Sequence, residues 1–405
     1  MRKKTQLGQI PEDWEVKRVE EFARVVGGGT PSTKKEEYFN GDIAWITPKD
    51  LSGYEQRYIS QGERNITKKG LDNSSAKILP QGTVLVSSRA PIGYVAIANN
   101  EVSTNQGFRS LVPKDNINSE YLYYLIKTYK KKLENLASGS TFKELRGSTL
   151  AKAEFPIATE EEQRKITDIL SSLDQKIELN REMNETLEDT GKAIFKHWFI
   201  DFEFPWNFEK NEFDLDGEPY KSGGGEFENN IPKSWKTTKF EDLIKITSGK
   251  RPENKNENKT DEFWCPVVGA SSVNSFTTEE LYNEPILVIG RVGTHGIVQR
   301  FKNPCWPSDN TLVITSPYYE FVCQYLNTIS YSKLNRGSTQ PLITQRDLKS
   351  LELALPREMK VLNYFENFAN DLFEKMHANE LENKRLSKIR DLLLPRLMSG
   401  RIRIK

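Results

Sequence analysis

One stretch of this chain occurs twice, and the repetition limits what the whole can fold into. Residues 160–198 recur 199 positions later at 359–397 with their apolar pattern intact. Ile166, Leu173, Leu187 and Ile194 become Phe365, Leu372, Leu386 and Leu393. Between them, Leu170, Ile177 and Trp198 become Ala369, Met376 and Leu397. Spacing that alternates four and three is the seam of a helix that packs lengthwise on another helix. Each seam is interrupted at the same place by two amides, Asn180 and Asn184 in one copy and Asn379 and Asn383 in the other. A seam Asn costs stability but penalises shifted registers, because slipping buries an unpaired amide. The simplest arrangement packs the two copies on each other; the alternative has each covering some other apolar surface.

The segment ahead of each helix also recurs, at an offset of 221. Ile10-Pro-Glu-Asp-Trp14 returns as Ile231-Pro-Lys-Ser-Trp235, and Gly27 to Pro31 is loosely echoed by Ser248 to Pro252. The modules therefore differ in length while the helices do not. Inside each module short β-rich runs alternate with turn residues: 43–46, 83–86, 94–97 and 108–112 in the first, 286–289, 296–298 and 311–314 in the second. A helix is predicted from about Glu120 to Leu136, with Lys127, Lys130, Lys131 and Lys132 off its apolar side, and another from about Tyr319. The predicted fold class is α+β. Two divergent β-rich domains are each followed by a long helix, and the helices pair as an antiparallel coiled coil with pseudo-two-fold symmetry. The segments are 1–159, helix 160–202, an acidic Gly-rich linker 203–230 with a flexible point at Ser222 to Gly225, 231–356, and 357–405 for the second helix and tail.

Charge is distributed unevenly. Overall it is +1, but residues 1–159 carry 24 Lys and Arg against 18 Asp and Glu, whereas 160–199 carry 6 against 10. The modules suit phosphate better than the helices do. Cys265, Cys305 and Cys323 share no metal-like or redox-like spacing, so neither a disulfide framework nor a zinc site is expected. No run reaches membrane-spanning length and the start lacks a signal-peptide core, so the expected setting is cytoplasmic, with no membrane partner.

The catalytic motifs nearest to a match are each incomplete. Asn303-Pro-Cys-Trp306 lacks the second proline of an amino-methyltransferase loop, Gly27-Gly-Gly29 lacks phosphate-cradling spacing, and Ser248-Gly-Lys250 lacks the upstream glycine of a Walker sequence. Three histidines assemble no credible triad. The chain reads as a binder, not a catalyst. Two classes stay open: a sequence-specific DNA reader, and a structural scaffold whose modules bind protein or carbohydrate.

Ordered motifs favour the first. Ile10-Pro-Glu-Asp-Trp14, Gly28-Gly-Thr-Pro-Ser32, Ala44-Trp-Ile-Thr-Pro48, Ser88-Arg-Ala-Pro-Ile-Gly93 and Asn105-Gln-Gly-Phe108 follow one another along the first module. Ser138 to Phe142, Glu162-Gln-Arg-Lys-Ile166, Phe195 to Phe199 and the terminal Leu393 to Ile402 complete the series. In this order they resemble the DNA-specificity subunit of type I restriction-modification enzymes, over nearly the whole chain. The second module departs from the pattern: Arg291 to Gly296 stands where Ser88 to Gly93 stood, and the second helix lacks the Glu162-Gln163 pair. The resemblance implies a non-catalytic subunit in which each module, as a target recognition domain, reads half of a split, asymmetric target in double-stranded DNA. The helices would set the spacer and dock two methyltransferase subunits, and restriction/translocase subunits would join through that complex. No cofactor is expected in this chain; S-adenosylmethionine, ATP and Mg would belong to the partners.

Base readout needs fork donors and amides on loops. The candidates are Ser88, Arg89, Asn105, Gln106, Ser140, Thr141 and Lys143 in the first module. In the second they are Arg291, Thr294, His295, Asn310, Thr339 and Gln340. Asn105 and Asn310 also suit plain turn capping, and the Lys127 to Lys132 cluster suits either phosphate contact or a solvated helix face.

Overall fold

The computed structural model describes residues 2–5, 8–89, 91–139, 143–291, 296–334 and 342–404. The chain divides into two compact units, Met1–Glu182 with Asn379–Lys405, and Met183–Ala378. The linear order is thereby regrouped: each unit holds one module and one half of each long helix.

In the first unit a five-stranded sheet runs Ala23–Gly27, Arg109–Pro113, Val84–Val86, Val95–Ala98, Tyr58–Ile59, antiparallel except at the last pair. Period-two alternation gives it two buried faces. Val84, Val86, Ile97 and Leu111 pack under the helix Ser119–Thr128, while Leu85, Ala96, Ala98 and Phe108 pack with Ala44 and Ile46 of a second sheet. That sheet has Phe39–Ile46 between Arg64–Ile66 and, in parallel, Ser103–Thr104. The predicted helix 120–136 is in fact two. Tyr129 caps the first turn run with φ −98° and ψ 21°, and Lys130–Leu136 restarts, which lets the Tyr129 ring meet Phe155 at 5.5 Å.

The second unit repeats the plan with unlike residues. Its sheet order is Lys245–Ser248, Thr311–Thr315, Ile286–Gly290, Val298–Phe301, and its small sheet sets Cys265–Val268 between Val273–Thr277 and a parallel Trp306–Pro307. The helix Tyr319–Thr328 covers Leu287, Ile289, Leu312 and Ile314. Each module enters and leaves on paired edge strands, Glu15–Arg18 with Glu154–Ile157 and Trp235–Lys239 with Glu352–Pro356.

The long helices, Glu160–Phe195 and Lys360–Met398, pair antiparallel. In the first unit Ile166 and Leu170, near the start of one, share a core with Leu394, Leu397 and Met398, near the end of the other. In the second unit Phe195 shares a core with Leu362, Phe365 and Ala369. Fully buried seam residues such as Ile166, Leu170, Ile177 and Phe365 each contribute roughly 1.5–3 kcal/mol of transfer free energy. Leu173, Leu187, Leu372, Met376, Leu386 and Leu393 are half-buried. The seam amides pair as well: Asn180 Nδ2 donates to Asn383 Oδ1 at 2.9 Å, and both Asn180 and Asn379 are buried. Asn383 Nδ2 donates to the Ile177 carbonyl in the first unit, and Asn184 Nδ2 to the Met376 carbonyl in the second. A shift of 199 residues converts one bond into the other, so the pseudo-symmetry extends to individual hydrogen bonds.

Residues 203–230 do not form a loose tether. Short strands at Pro205–Asn207, Glu212–Phe213 and Glu218–Pro219 pair with one another, and Phe204 stacks between Tyr220 at 4.7 Å and Trp235 at 5.1 Å. The first long helix loosens into a π turn, Lys196–Ile200, that delivers Phe199 to Phe321 and Phe365. The tail does the corresponding work in the first unit. Arg403 forks onto Asp13 at 2.7 and 2.9 Å and reaches Glu162 at 2.6 Å, and Glu162 also accepts from Trp14 Nε1.

Candidate nucleic-acid interface

A helix face of each module rests on the long helices, and loops run out at the ends of the strands. In the first unit three loops are tied by backbone hydrogen bonds. Ser88 N–H donates to the Gly107 carbonyl at 2.7 Å, and Leu145 N–H to the Ser88 carbonyl at 2.9 Å. The turn between them, 105–108, closes through Phe108 N–H to the Asn105 carbonyl, and Gly29 N–H donates to the Thr104 carbonyl at 2.9 Å. The second unit has the same set: Arg291 to Asn310 at 2.8 Å, Ile343 to Arg291 at 3.1 Å, Thr311 to Ser308 at 3.0 Å, and Lys250 to Pro307 at 2.9 Å. Both loop frames depend on a glycine. A Cβ at Gly28 would lie 2.1 Å from the Asn105 carbonyl oxygen, and one at Gly249 would lie 2.2 Å from that of Ser308, so only glycine permits this approach.

An indole pins each frame, but from different strands. Trp45 Nε1 donates to the Gly29 carbonyl at 3.0 Å, and Trp306 Nε1 to the Lys250 carbonyl at 2.7 Å. Trp45 lies on the central strand of its small sheet and Trp306 on the parallel neighbour. The donor is kept while its origin moves. The nearest approach to a methyltransferase loop, Asn303 to Trp306, is thus part of this framework, with Cys305 buried and bridged to Tyr282.

Of the sequence candidates, Ser88 is fully buried and its hydroxyl donates to the Gly107 carbonyl, so it shapes the loop. Arg89 and Arg291 are half-buried beside it and in the corresponding place. Asn105 Oδ1 accepts from Gly107 N–H at 2.8 Å, an Asx turn. Gln106, Lys143 and Asn310 are exposed. Gln106 Oε1 accepts from the Thr30 hydroxyl. Ser140, Thr141, Thr294, His295, Thr339 and Gln340 lie outside the described residues. Sequence reasoning missed Arg109, which reaches the Gln106 and Phe108 carbonyls and the Glu144 carboxylate and so braces the turn against the 143–146 loop. A lone Arg in a β run carries no signal of that role.

The lysine cluster splits. Lys132 turns inward to the Glu154 carbonyl and the Phe155 ring, and burial lowers its pKa. Lys127 lies by the Tyr123 hydroxyl at 3.1 Å and the Lys130 stem lies on Gly93. These two line a cleft of about 310 Å³ with Tyr54, Tyr94, Tyr123 and Arg181. Beneath it the module is bolted to the helix. Arg57, 3% exposed, bonds Glu178 and Glu120, and Tyr124 and Arg390 both bond Asp174 at 2.7 Å. Burial opposes the Arg57 charge, but the Glu178 hydrogen bonds and the neighbouring carboxylates outweigh it and raise its pKa.

Two copies of one rigid loop frame with unlike tips, each seated on a shared helical pair, define a tandem recognition protein. Comparison with known proteins agrees. A family model described as "Type I restriction modification DNA specificity domain" matches residues 11–189 and 232–383, once per module. The type I restriction enzyme MjaIX specificity subunit of Methanocaldococcus jannaschii is 39% identical over 431 residues, covering 100% of this chain and 96% of that protein. The HindI specificity subunit of Haemophilus influenzae is 25% identical, over 82% of this chain and 89% of its own length. The fold matches the crystal structure of a type I S subunit from M. genitalium with a TM-score of 0.63, at 17% identity and covering 98% of this chain and 99% of that one. The chain belongs to the type I restriction-modification DNA specificity family. It is a specificity subunit, and not itself an enzyme.

Proposed function

We propose that residues 1–159 and 231–356 are target recognition domains, each reading one half of a split, asymmetric sequence in double-stranded DNA. The observation that carries this is the shared loop frame: the same backbone bonds, presented twice, with different side chains at the tips. The reading set comprises the tips around Arg89, Asn105, Gln106 and Lys143 in one module and Arg291 and Asn310 in the other, together with Ser140, Thr141, Thr294, His295, Thr339 and Gln340. Ser88 contributes by holding its loop. Lys127 and Lys130 contact phosphate, which positions the duplex without reading it. The paired helices set the spacer and dock two methyltransferase subunits, through which restriction/translocase subunits join. S-adenosylmethionine, ATP and Mg act in those partners, and the assembly works on DNA in the cytoplasm. Selection from a randomised duplex library, with the methyltransferase partner present, tests the reading. It should return a bipartite sequence with an unread spacer; a complex that retains no sequence preference overturns the reading and favours a scaffold.

A further inference from the structure

The matched loop frames make the two modules comparable position by position where their sequences are not. The bonds that place Ser88 opposite Arg291 and Gly107 opposite Asn310 also place Asn105 opposite Ser308. Gln106 therefore corresponds to Asp309. Each follows the first residue of a β-turn closed by a backbone bond, Phe108 to Asn105 in one module and Thr311 to Ser308 in the other. Both are exposed. Behind each turn the backbone is fixed from below by Asn105 N–H to Ile46 and Ser308 N–H to Val268, at 3.0 and 2.9 Å. A fixed backbone with an exposed tip whose chemistry changes between copies is what half-site discrimination requires.

We infer that Gln106 and Asp309 are equivalent base-reading positions, Gln106 recognising adenine in one half-site and Asp309 recognising cytosine in the other. This rests on the reading given under Proposed function. Adenine offers N6–H₂ as donor and N7 as acceptor in the major groove, and a Gln amide matches both. The Thr30 hydroxyl takes one lone pair of Gln106 Oε1 and orients the amide; no other described residue bonds that amide, whose second lone pair and Nε2 hydrogens would meet the base. Cytosine offers only the N4–H₂ donor, which a carboxylate accepts. Among the described residues Asp309 makes no hydrogen bond or ion pair, and its carboxylate is exposed at the tip. Thr30 itself corresponds to Arg251, so the orienting hydroxyl belongs to the first module alone.

The test uses the full chain assembled with its methyltransferase subunits, selecting from a library randomised across both half-sites. Asp309→Asn converts an acceptor-only tip into an amide at nearly constant shape. It should move one position of one half-site from C·G towards A·T, with a change in relative enrichment of roughly 5- to 150-fold. Gln106→Glu should do the reverse at one position of the other half-site, and Thr30→Val should weaken that same adenine preference. Half-sites that keep their preferences in both variants overturn the assignment. So does a uniform loss of affinity with unchanged preferences, which would mark the turn as framework. A wild-type assembly that selects no bipartite sequence is a different failure: it overturns the underlying reading, and this assignment falls with it.

Discussion

Glu162 and Val361 occupy one place in the two copies of the long helix, and that difference settles how two tryptophans are held. Trp14 Nε1 donates to Glu162 at 2.6 Å, with Arg403 on the other carboxylate oxygen. Trp235 faces Val361, has no acceptor for Nε1 among the described residues, and is gripped instead by Phe204, which a shift of 199 residues places at Arg403. One copy uses a charged clamp and the other an aromatic stack. Replacing Glu162 by Val strands a buried indole N–H and part of Arg403, and should cost about 1–3 kcal/mol in denaturant unfolding. A loss below about 0.5 kcal/mol would mean that water replaces the carboxylate. A second residue-scale consequence concerns pH. Burial raises the pKa of Glu320 above the ordinary carboxylate value, against the pull of Arg300 and Lys302. The unfolded chain gives up that proton near its ordinary value, about 4.3, and the folded chain only at higher pH. The stability held by this group is therefore full below the ordinary value and is lost as pH rises through the folded one. Thermal melting of the wild type should show that decline, and Glu320→Gln should flatten it; equal slopes in both proteins would assign the decline to other groups such as Glu366, which burial also raises.

Among elements, the long helices were the most legible, because a heptad repeat sustained over many turns fits little besides helices packed lengthwise. Their second buried face was not. Thr167, Ser171, Asp174 and Glu178 look like an ordinary polar side, yet the first three are buried and Glu178 holds Arg57. Polar residues that meet a module through hydrogen bonds leave no apolar periodicity to read. The break at Tyr129 was hidden for the opposite reason, since the apolar spacing of Leu125, Tyr129 and Leu133 runs unbroken across it. In the loops, residue type misled: Asn310 stands out as a candidate amide, but the backbone bonds set it opposite Gly107, and it is the neighbouring Asp309 that matches Gln106. The antiparallel register is testable directly. Cysteines at 180 and 383, where the amides touch at 2.9 Å, should oxidise readily to an intramolecular disulfide. The pair 180 and 379, which a parallel register requires, should not. Outward positions suit a partner test as well. Arg181 is a poor probe, since it bonds Glu55 of the module, whereas Lys384 and Arg385 are exposed. Reversing both to Glu should weaken co-purification with the methyltransferase while leaving sequence preference alone; undiminished assembly would move the docking face elsewhere.

For the whole molecule, duplication was visible in the sequence as two offsets, but the regrouping into units was not. Each long helix reads as a continuous seam, and nothing in a heptad says that residues 160–182 share a core with 379–398 and not with their own second half. Nor did composition show that the acidic, Gly-rich segment is folded, because its order comes from Phe204 stacking on Tyr220 within it and on Trp235 beyond it. The architecture also says where a module can be exchanged. The first module enters on Glu15–Arg18 and leaves on Glu154–Ile157, two strands paired from Arg18 opposite Glu154 to Glu15 opposite Ile157. The second does the same on Trp235–Lys239 and Glu352–Pro356. A cassette cut inside such a pair, at 19–153, replaces one loop frame and leaves the strand pair, the clamp at Trp14 and the helix seam in place. The contacts to be rematched include those of Arg57 to Glu178, Tyr124 to Asp174 and Glu55 to Arg181, with Glu120 holding Arg57 from inside the module, so a donor module should carry those residues. With that condition met, library selection on the hybrid should return a new sequence in one half-site, the old sequence in the other, and an unchanged spacer. A hybrid that folds and assembles but changes both halves together would show that the modules do not read independently.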